Sequence, residues 1–228
     1  MEFKKIALGA FAFLIHYKDA FARKLLIPAG GCLLVDFLSR LGMNPIIALF
    51  VTLLSFWLYV LLAVITHRIV LLGPESVAEW GISRWSGRET AFLVHALGLG
   101  LVTLIPFASM FLLGFIPFIV LFTLPLSFWL LARLTLVLPG IAVDKEFTFQ
   151  HSWEATRDFQ LPMLGVVFLI PFVLGGVGLL IAQLPFTALL VSVYSIVATV
   201  YEVVVLSLAY QSITAKNEPP AKVLEQEL

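Results

Sequence analysis

Charged side chains are spaced along this chain so that long apolar stretches lie between them. No Lys, Arg, Asp or Glu occurs in the 43 residues from Thr90 to Ala132, nor in the 43 residues from Phe159 to Tyr201. A helix that crosses the hydrocarbon core of a bilayer needs about 20 apolar residues. Each stretch therefore predicts two membrane-spanning helices joined by a short turn, and the uncharged residues Leu41–Thr66 predict one more.

The N-terminal forty residues contain the weakest predicted span. Residues 21–41 are long enough to cross, although Gly30 and Gly31 weaken the helix. Asp36 and Arg40 lie four positions apart near its far end, where they can pair on one helix face. With this segment included, six spans are predicted, at residues 21–41, 45–67, 91–112, 115–138, 162–182 and 185–212.

The basic residues determine the predicted orientation. In the six-span arrangement thirteen of the fourteen Lys and Arg residues fall on one side of the membrane, and only Arg40 falls on the other. Cytoplasmic loops carry such an excess. Both termini are therefore predicted to be cytoplasmic. Without the first span, six of these basic residues fall on one side of the membrane and eight on the other, which fits the rule less well.

Segments outside the spans are predicted to lie along the cytoplasmic membrane surface. Residues 3–17 are predicted to form an interfacial amphipathic helix. A cleaved signal peptide is the competing interpretation, but His16, Lys18 and Asp19 interrupt the expected pattern before the cleavage site. Short interfacial helices are also predicted after Gly73 and after Thr148, and Ser86–Glu89 matches a capping box that begins the third span.

Composition agrees with a membrane protein and excludes several other classes. The chain is 61% hydrophobic and 12% charged, against about 45–50% and about 25% in an ordinary soluble domain. Its formal net charge is zero and it has one cysteine, Cys32. A nucleic-acid binder with a basic surface and a disulfide scaffold are thereby excluded. The predicted fold is an all-α integral membrane protein, with a single membrane domain at residues 1–212 and a flexible cytoplasmic tail at residues 213–228.

Arg133 and Glu202 are predicted to form an intramembrane polar pair. The two long apolar stretches resemble a repeated helical hairpin, since both contain Leu-Ile-Pro-Phe in the first helix and Pro-Phe at the start of the second. Arg133 follows Pro117 by 16 residues and Glu202 follows Pro185 by 17, which places the two charges at comparable depth. A lone charge in hydrocarbon is costly, so the two are expected to pair. Such a pair suits either a proton or substrate site or an interhelical lock.

The connection between spans four and five is the candidate cytoplasmic interaction surface. Pro139 and Gly140 are predicted to end span four, and Thr148 or Gln150 to begin a short helix along the membrane. A solvated charged face is the simpler interpretation of the same residues. The candidate residues are Asp144, Lys145, Glu146, His151, Trp153, Glu154 and Arg157.

No catalytic, cofactor or metal site is predicted. The chain lacks the short motifs of serine hydrolases, zinc proteases, phosphate-binding loops and dinucleotide-binding turns. No two of its four histidines lie at metal-ligand spacing on one helix.

Two segments resemble a known family. The first segment consists of Arg133, the run Leu138–Asp144 and the run Ser152–Arg157. The second is the run His67–Gly73. These resemble uncharacterised bacterial inner-membrane proteins that are similar to the membrane domain of some glycerophosphodiester phosphodiesterases and to the YciC-like proteins. The resemblance implies six helices and a bacterial inner membrane. It implies no activity, because the catalytic domain is absent and Ile69 stands where that enzyme's His-Arg-Gly motif has glycine.

Three functions remain open at this point. The first is a non-enzymatic scaffold, assembly factor or accessory subunit of a membrane complex, with lipids and membrane proteins as partners and no nucleic acid. The second is a small-solute or lipid transporter, or a lipid-handling protein, with a site near Arg133 and Glu202. A membrane enzyme is the third. An apolar groove on the lipid face would favour the first, and a water-accessible cavity lined by Arg133, Glu202 or Gln183 would favour the second.

Overall fold

The structure of the chain is a computed structural model that describes residues 2–42, 44–81, 85–112, 117–184 and 188–217. Helices account for nearly all of these residues, and the described parts contain no strand. The helices are α1 (Phe3–His16), α2 (Lys18–Ser39), α3 (Pro45–Leu72), α4 (Gly87–Leu112), α5 (Pro117–Leu134), α6 (Val137–Ala142), α7 (Phe149–Ala155), α8 (Gln160–Leu164), α9 (Ile170–Ala182) and α10 (Ala188–Asn217). A π-helical segment, Gly165–Leu169, joins α8 to α9.

The predicted all-helical membrane architecture is confirmed. Five helical segments of the described chain are long and apolar enough to cross a membrane, and α2 is not one of them. Lys18, Asp19, Arg23 and Lys24 at one end of α2, with Asp36 near the other, make it less apolar than the rest. The five segments are Pro45–Leu72, Gly87–Pro106, Leu121–Ala142, Arg157–Ala182 and Ala188–Lys216. This is a multi-pass membrane protein.

Helix α10 lies at the centre of the bundle and contacts α1, α2, α3, α6, α7 and α9. Val204, Val205 and Ile213 on α10 are fully buried and belong to one apolar core with Leu62 and Ile69 of α3. A second, smaller core joins α3, α4 and α6. Helix α3 contributes to both cores and therefore connects the two halves of the bundle.

Helix α1 packs against the central helix by one side only. Its Ile6 and Ala10 are buried, whereas Leu8 and Phe11 are exposed. The Tyr201 hydroxyl on α10 donates a hydrogen bond of 3.0 Å to the carbonyl oxygen of Ala7. This polar contact holds α1 to the surface of α10.

The end of the fourth span differs from the prediction. The predicted stop at Pro139 and Gly140 was wrong, because the helix breaks after Leu134 and α6 then runs through both residues to Ala142. Pro139 lies in the first turn of α6, where a backbone N–H has no partner within the helix. The proline therefore costs no hydrogen bond there.

The two connections that were predicted to be cytoplasmic also differ from one another. In the described residues 73–81 after α3, the helical structure is one 3₁₀ turn, Pro74–Ser76, instead of the predicted short interfacial helix. The Ser76 hydroxyl donates to the Gly73 carbonyl oxygen at 2.7 Å and closes this turn locally. The second connection does form a helix, α7, and Thr148 caps it.

Two predicted local contacts and one predicted helix end have clear outcomes. The capping box is confirmed, since the Ser86 backbone N–H donates to Glu89 at 2.8 Å. The pairing of Asp36 and Arg40 is confirmed at 2.8 Å. Helix α10 extends to Asn217, beyond the predicted end at 212, and the rest of the predicted tail lies outside the described residues, as does the Pro-Phe pair at 185–186.

Gly140 provides a test of how the end of the fourth span is packed. A Cβ atom at Gly140 would lie 2.4 Å from the Cβ of Phe147, whereas one at Gly100 of α4 would meet nothing within 4 Å. We expect Gly140→Ala to lower stability by about 1–3 kcal/mol, because Phe147 and its backbone must move. The control Gly100→Ala should raise stability by up to about 1 kcal/mol through helix propensity. Thermal unfolding in one detergent measures both, and equal effects of the two substitutions would contradict this packing.

Candidate functional site

A cluster of charged side chains joins α3, α4 and the turn after α6. The Arg68 guanidinium donates to Asp144 at 2.7 Å and to the Ala142 carbonyl oxygen at 3.1 Å. Arg88 donates to Asp144 at 3.1 Å and forms an ion pair with Glu89 at 2.7 Å. Asp144 is thus held by two arginines that are distant from it in sequence.

Asp144 is the titratable residue of this cluster that lies outside the membrane-spanning segments. Partial burial opposes its charged form, but hydrogen bonding to Arg68 and the charges of Arg88 and Arg68 outweigh that effect and hold the pKa of Asp144 below its ordinary value. Its backbone has a φ of 59°, a left-handed conformation that Asp tolerates better than most residues. The arrangement links three segments and keeps the carboxylate charged at neutral pH.

Arg133 lies at the end of α5 and is buried, with 4% of its surface exposed. Its guanidinium carbon lies 4.4 Å from the centre of the Trp153 ring. Helix α7 is fixed to this end of α5, since the Ser152 and Thr156 hydroxyls donate to the Arg133 carbonyl oxygen at 2.8 and 3.2 Å. These contacts place Trp153 directly against the arginine.

The predicted ion pair between Arg133 and Glu202 is not present. The ion pairs formed by the described residues do not include one between them. The physical reason is that α7 folds back onto the end of α5 and offers Arg133 an aromatic face. Glu202 lies half-buried on α10.

The seven candidate surface residues are exposed, but they do not form one cluster. Asp144 belongs to the Arg68–Arg88 cluster, whereas Trp153 lies on Arg133. The others are held locally or point outward. The Lys145 ammonium lies 5.9 Å from the centre of the Tyr210 ring, and His151 completes the capping box of α7. The Glu154 carboxylate accepts a hydrogen bond of 3.0 Å from the Gln150 side chain. Glu146 and Arg157 are exposed.

A buried polar contact between α3 and α10 was not predicted. His67 is 1% exposed and its Nδ1 lies 2.7 Å from the Ser207 hydroxyl. Both side chains sit in otherwise apolar helices, and no spacing rule connects positions 140 residues apart. The sequence indicated this contact only in that each residue is an isolated polar side chain within an apolar span.

An apolar groove of about 700 Å³ lies between α1, α9 and α10. Both tyrosine hydroxyls of its lining are engaged, because Tyr194 donates to the Leu174 carbonyl oxygen at 2.6 Å and Tyr201 donates to Ala7, and Lys18 is its charged lining residue. Arg133, Glu202 and Gln183 do not line it. Residues on its three walls include Phe11 and Ile15 of α1, Ile170 and Val173 of α9, and Val197 of α10.

The outer face of α9 is open beside this groove. A Cβ atom added at Gly175 or Gly176 would meet nothing within 4 Å, whereas one at Gly178 would meet Tyr194 of α10 at 3.2 Å. Val173 of the groove and Gly176 lie three positions apart and share one face of the helix. The groove therefore continues onto a flat glycine surface, which we call the α9 glycine face (Gly175 and Gly176).

Replacing Asp144 tests the charged cluster. Because the pKa of Asp144 is lowered by folding, its contribution is present above the ordinary Asp pKa of 3.8 and is lost as the pH falls through the lower folded value. We expect Asp144→Asn to lower the thermal midpoint by about 2–4 °C at pH 7 and the difference to shrink below pH 3.8. The exposed Glu79→Gln serves as a control without an effect. A gap that stays constant down to low pH would show that charge is not responsible.

The described residues contain no group of three or more His, Cys, Asp or Glu side chains placed to hold a metal ion. No protein-family model, curated protein or solved structure matches the chain. Its function must therefore be inferred from its own surfaces.

Proposed function

We propose that this chain is a non-enzymatic protein of a bacterial inner membrane that acts as a scaffold, assembly factor or accessory subunit of a membrane complex. The observation that supports this proposal is the α9 glycine face beside the apolar groove. The occupant that it suits is a membrane-spanning helix of a partner protein.

Glycine within a helix is unfavourable, by about 1 kcal/mol relative to alanine. Lipid chains gain nothing from a glycine surface, because they adapt to larger side chains equally well. Small residues in a membrane helix do favour close approach of another helix, where backbone packing replaces the hydrophobic effect. Gly178 serves this purpose within the chain, since it packs against Tyr194 of α10. Gly175 and Gly176 offer the same surface with no helix of the described chain against it.

The candidate span Arg157–Ala182, which ends with α9, is also the least covered of the five. Only 11% of its 18-residue apolar window is buried within the chain, against 22–39% for the other four. A helix that contributes little to its own bundle has a free face for a partner. The groove is concave and the adjoining α9 glycine face is flat. Together they suit a helix more than a solvated ligand.

The proposal includes a sixth crossing by α2, which places both termini in the cytoplasm. The Lys24 ammonium of α2 donates to the Val77 carbonyl oxygen, in the connection after α3, at 2.7 Å. Near its other end, Asp36 accepts from Ser192 in the first turns of α10. These two contacts lie 12 residues apart on α2, about 18 Å along the helix, and its 22 residues extend about 33 Å, which is long enough for a crossing.

The transporter alternative has less support. It was based partly on a polar pair of Arg133 with Glu202, and a water-accessible cavity lined by Arg133, Glu202 or Gln183 would favour it. Arg133 contacts Trp153 instead, and neither charged residue lines the groove.

Cross-linking in cells tests the proposal. A photoactivatable residue at Leu180, which is 71% exposed on α9, should give one discrete adduct with a different membrane protein. The same residue at Leu101, which is 67% exposed on α4, should give none. Adducts at both positions alike, or an adduct only with a second copy of this chain, would contradict the proposal.

A pair of glycine substitutions shows whether the glycine surface itself is responsible. Gly176→Leu fills the space that the partner helix needs, so the Leu180 adduct should fall by about tenfold, equivalent to roughly 1.4 kcal/mol. Gly100→Leu, at an equally open glycine of α4, should leave the yield unchanged. An unchanged yield in both variants would remove the glycine face from the interface.

A further inference from the structure

Arg133 is a buried cation without an anionic partner in the described structure. Its Nε and Nη1 atoms are buried and make no hydrogen bond, and none of the ion pairs of the described residues includes it. Arginine stays charged in proteins, so the charge cannot be removed by loss of a proton. Burying an unpaired charge is unfavourable unless a counter-ion and hydrogen-bond acceptors are supplied.

Trp153 satisfies only one face of the guanidinium. The ring lies 4.4 Å from the guanidinium carbon and therefore covers the flat side by a cation–π contact. The N–H groups lie in the plane of the guanidinium and point past the ring. They require oxygen acceptors, and the groups that guanidinium edges bind best are carboxylates and phosphates.

The surroundings of Arg133 contain a second cation. Arg157 and Asp158, at the start of the following span, act electrostatically on Arg133 with opposite signs. Both are exposed, and their opposite charges leave the positive charge of Arg133 uncompensated. The exposed Arg157 can donate to an oxyanion that also contacts Arg133.

The rim of the site consists of polar and aromatic side chains typical of the membrane interface. The Trp129 indole donates to the Gln160 side-chain oxygen at 3.1 Å, and the Gln160 amide donates to the Arg157 carbonyl oxygen at 3.0 Å. Trp129 and Trp153 pack edge to face, with ring centres 5.2 Å apart. Tryptophan is enriched at the depth of the lipid head groups. These side chains therefore position Arg133 where phospholipid phosphates lie.

We propose that Arg133, with Arg157 and the face of Trp153, binds the phosphate of an anionic phospholipid of the cytoplasmic leaflet. Because Nε and Nη1 are buried in the lipid-free chain, the Arg133 side chain turns toward the lipid when it binds, and the phosphate oxygens then accept from the guanidinium. The indole rings of Trp129 and Trp153 lie beside the glycerol and upper acyl region. The site is formed by α5, α7 and the start of the following span. It does not involve the α9 glycine face, so each of the two proposals can fail without the other.

The test uses the purified full chain in a lipid-free detergent, with thermal unfolding and native mass spectrometry as readouts. Phosphatidylglycerol should raise the thermal midpoint of the wild-type chain, and the zwitterionic phosphatidylethanolamine should raise it less. Arg133→Met should bind phosphatidylglycerol about tenfold more weakly, because two charge-assisted hydrogen bonds are lost. In the absence of lipid the same variant should be at least as stable as the wild type, because it removes an unpaired buried charge. That reversal distinguishes a ligand site from a merely structural arginine, whose loss would destabilise the chain under both conditions.

Further variants and ligands complete the test. Arg157→Gln changes an exposed residue and should fold, and it should weaken phosphatidylglycerol binding by about threefold. Arg23→Met removes an exposed arginine of α2 and should leave binding unchanged. Stabilisation by inorganic phosphate that equals that by the lipid would assign the site to a soluble phosphate and overturn the lipid assignment. Equal binding by the wild type, Arg133→Met and Arg157→Gln would overturn the site.

Discussion

A polar side chain inside a membrane helix must find its partner within the protein, and in this chain α10 supplies such partners to three other helices. Ser207 contacts His67 of α3, Tyr201 contacts the backbone of α1, and Ser192 contacts Asp36 of α2. Each contact fixes a different helix to α10 at a different height. Because lipid offers no alternative hydrogen bonds, each also fixes the rotation of the helix about its axis. The apolar core can then pack by shape alone.

The helices and their local contacts could be predicted from the sequence, because both depend on short-range spacing. Intervals between charges indicated the apolar helices, and the capping box at Ser86 and the pairing of Asp36 with Arg40 join residues within one helical turn. The partners of Arg133 and Asp144 could not be predicted in this way. Asp144 meets Arg68 and Arg88 across 76 and 56 residues, and Arg133 meets Trp153 only because α7 folds back. Such contacts depend on which helix faces meet, and a long apolar helix carries little periodic information about that.

The two halves of the bundle have different characters. On one side, the Arg68–Asp144–Arg88 cluster and the small core of α3, α4 and α6 close the structure with ionic and apolar contacts. On the other side, α1 and α9 each rest on α10 and leave a groove between them. The open half carries the groove and the α9 glycine face. Helix α3, which contributes to both cores and packs on α10, connects the open side to the closed side.

The π-helical segment Gly165–Leu169 determines which residues of α9 face outward. A π-helical turn is equivalent to one residue inserted into an α-helix, and one residue corresponds to about 100° of rotation. If a residue were lost there, Gly175 and Gly176 would turn away from the groove wall and larger side chains would take their place. The lengths of all the helices and the overall hydrophobicity would hardly change. Related chains that differ by a single insertion or deletion in this segment would therefore share the bundle but present a different surface to their neighbours in the membrane.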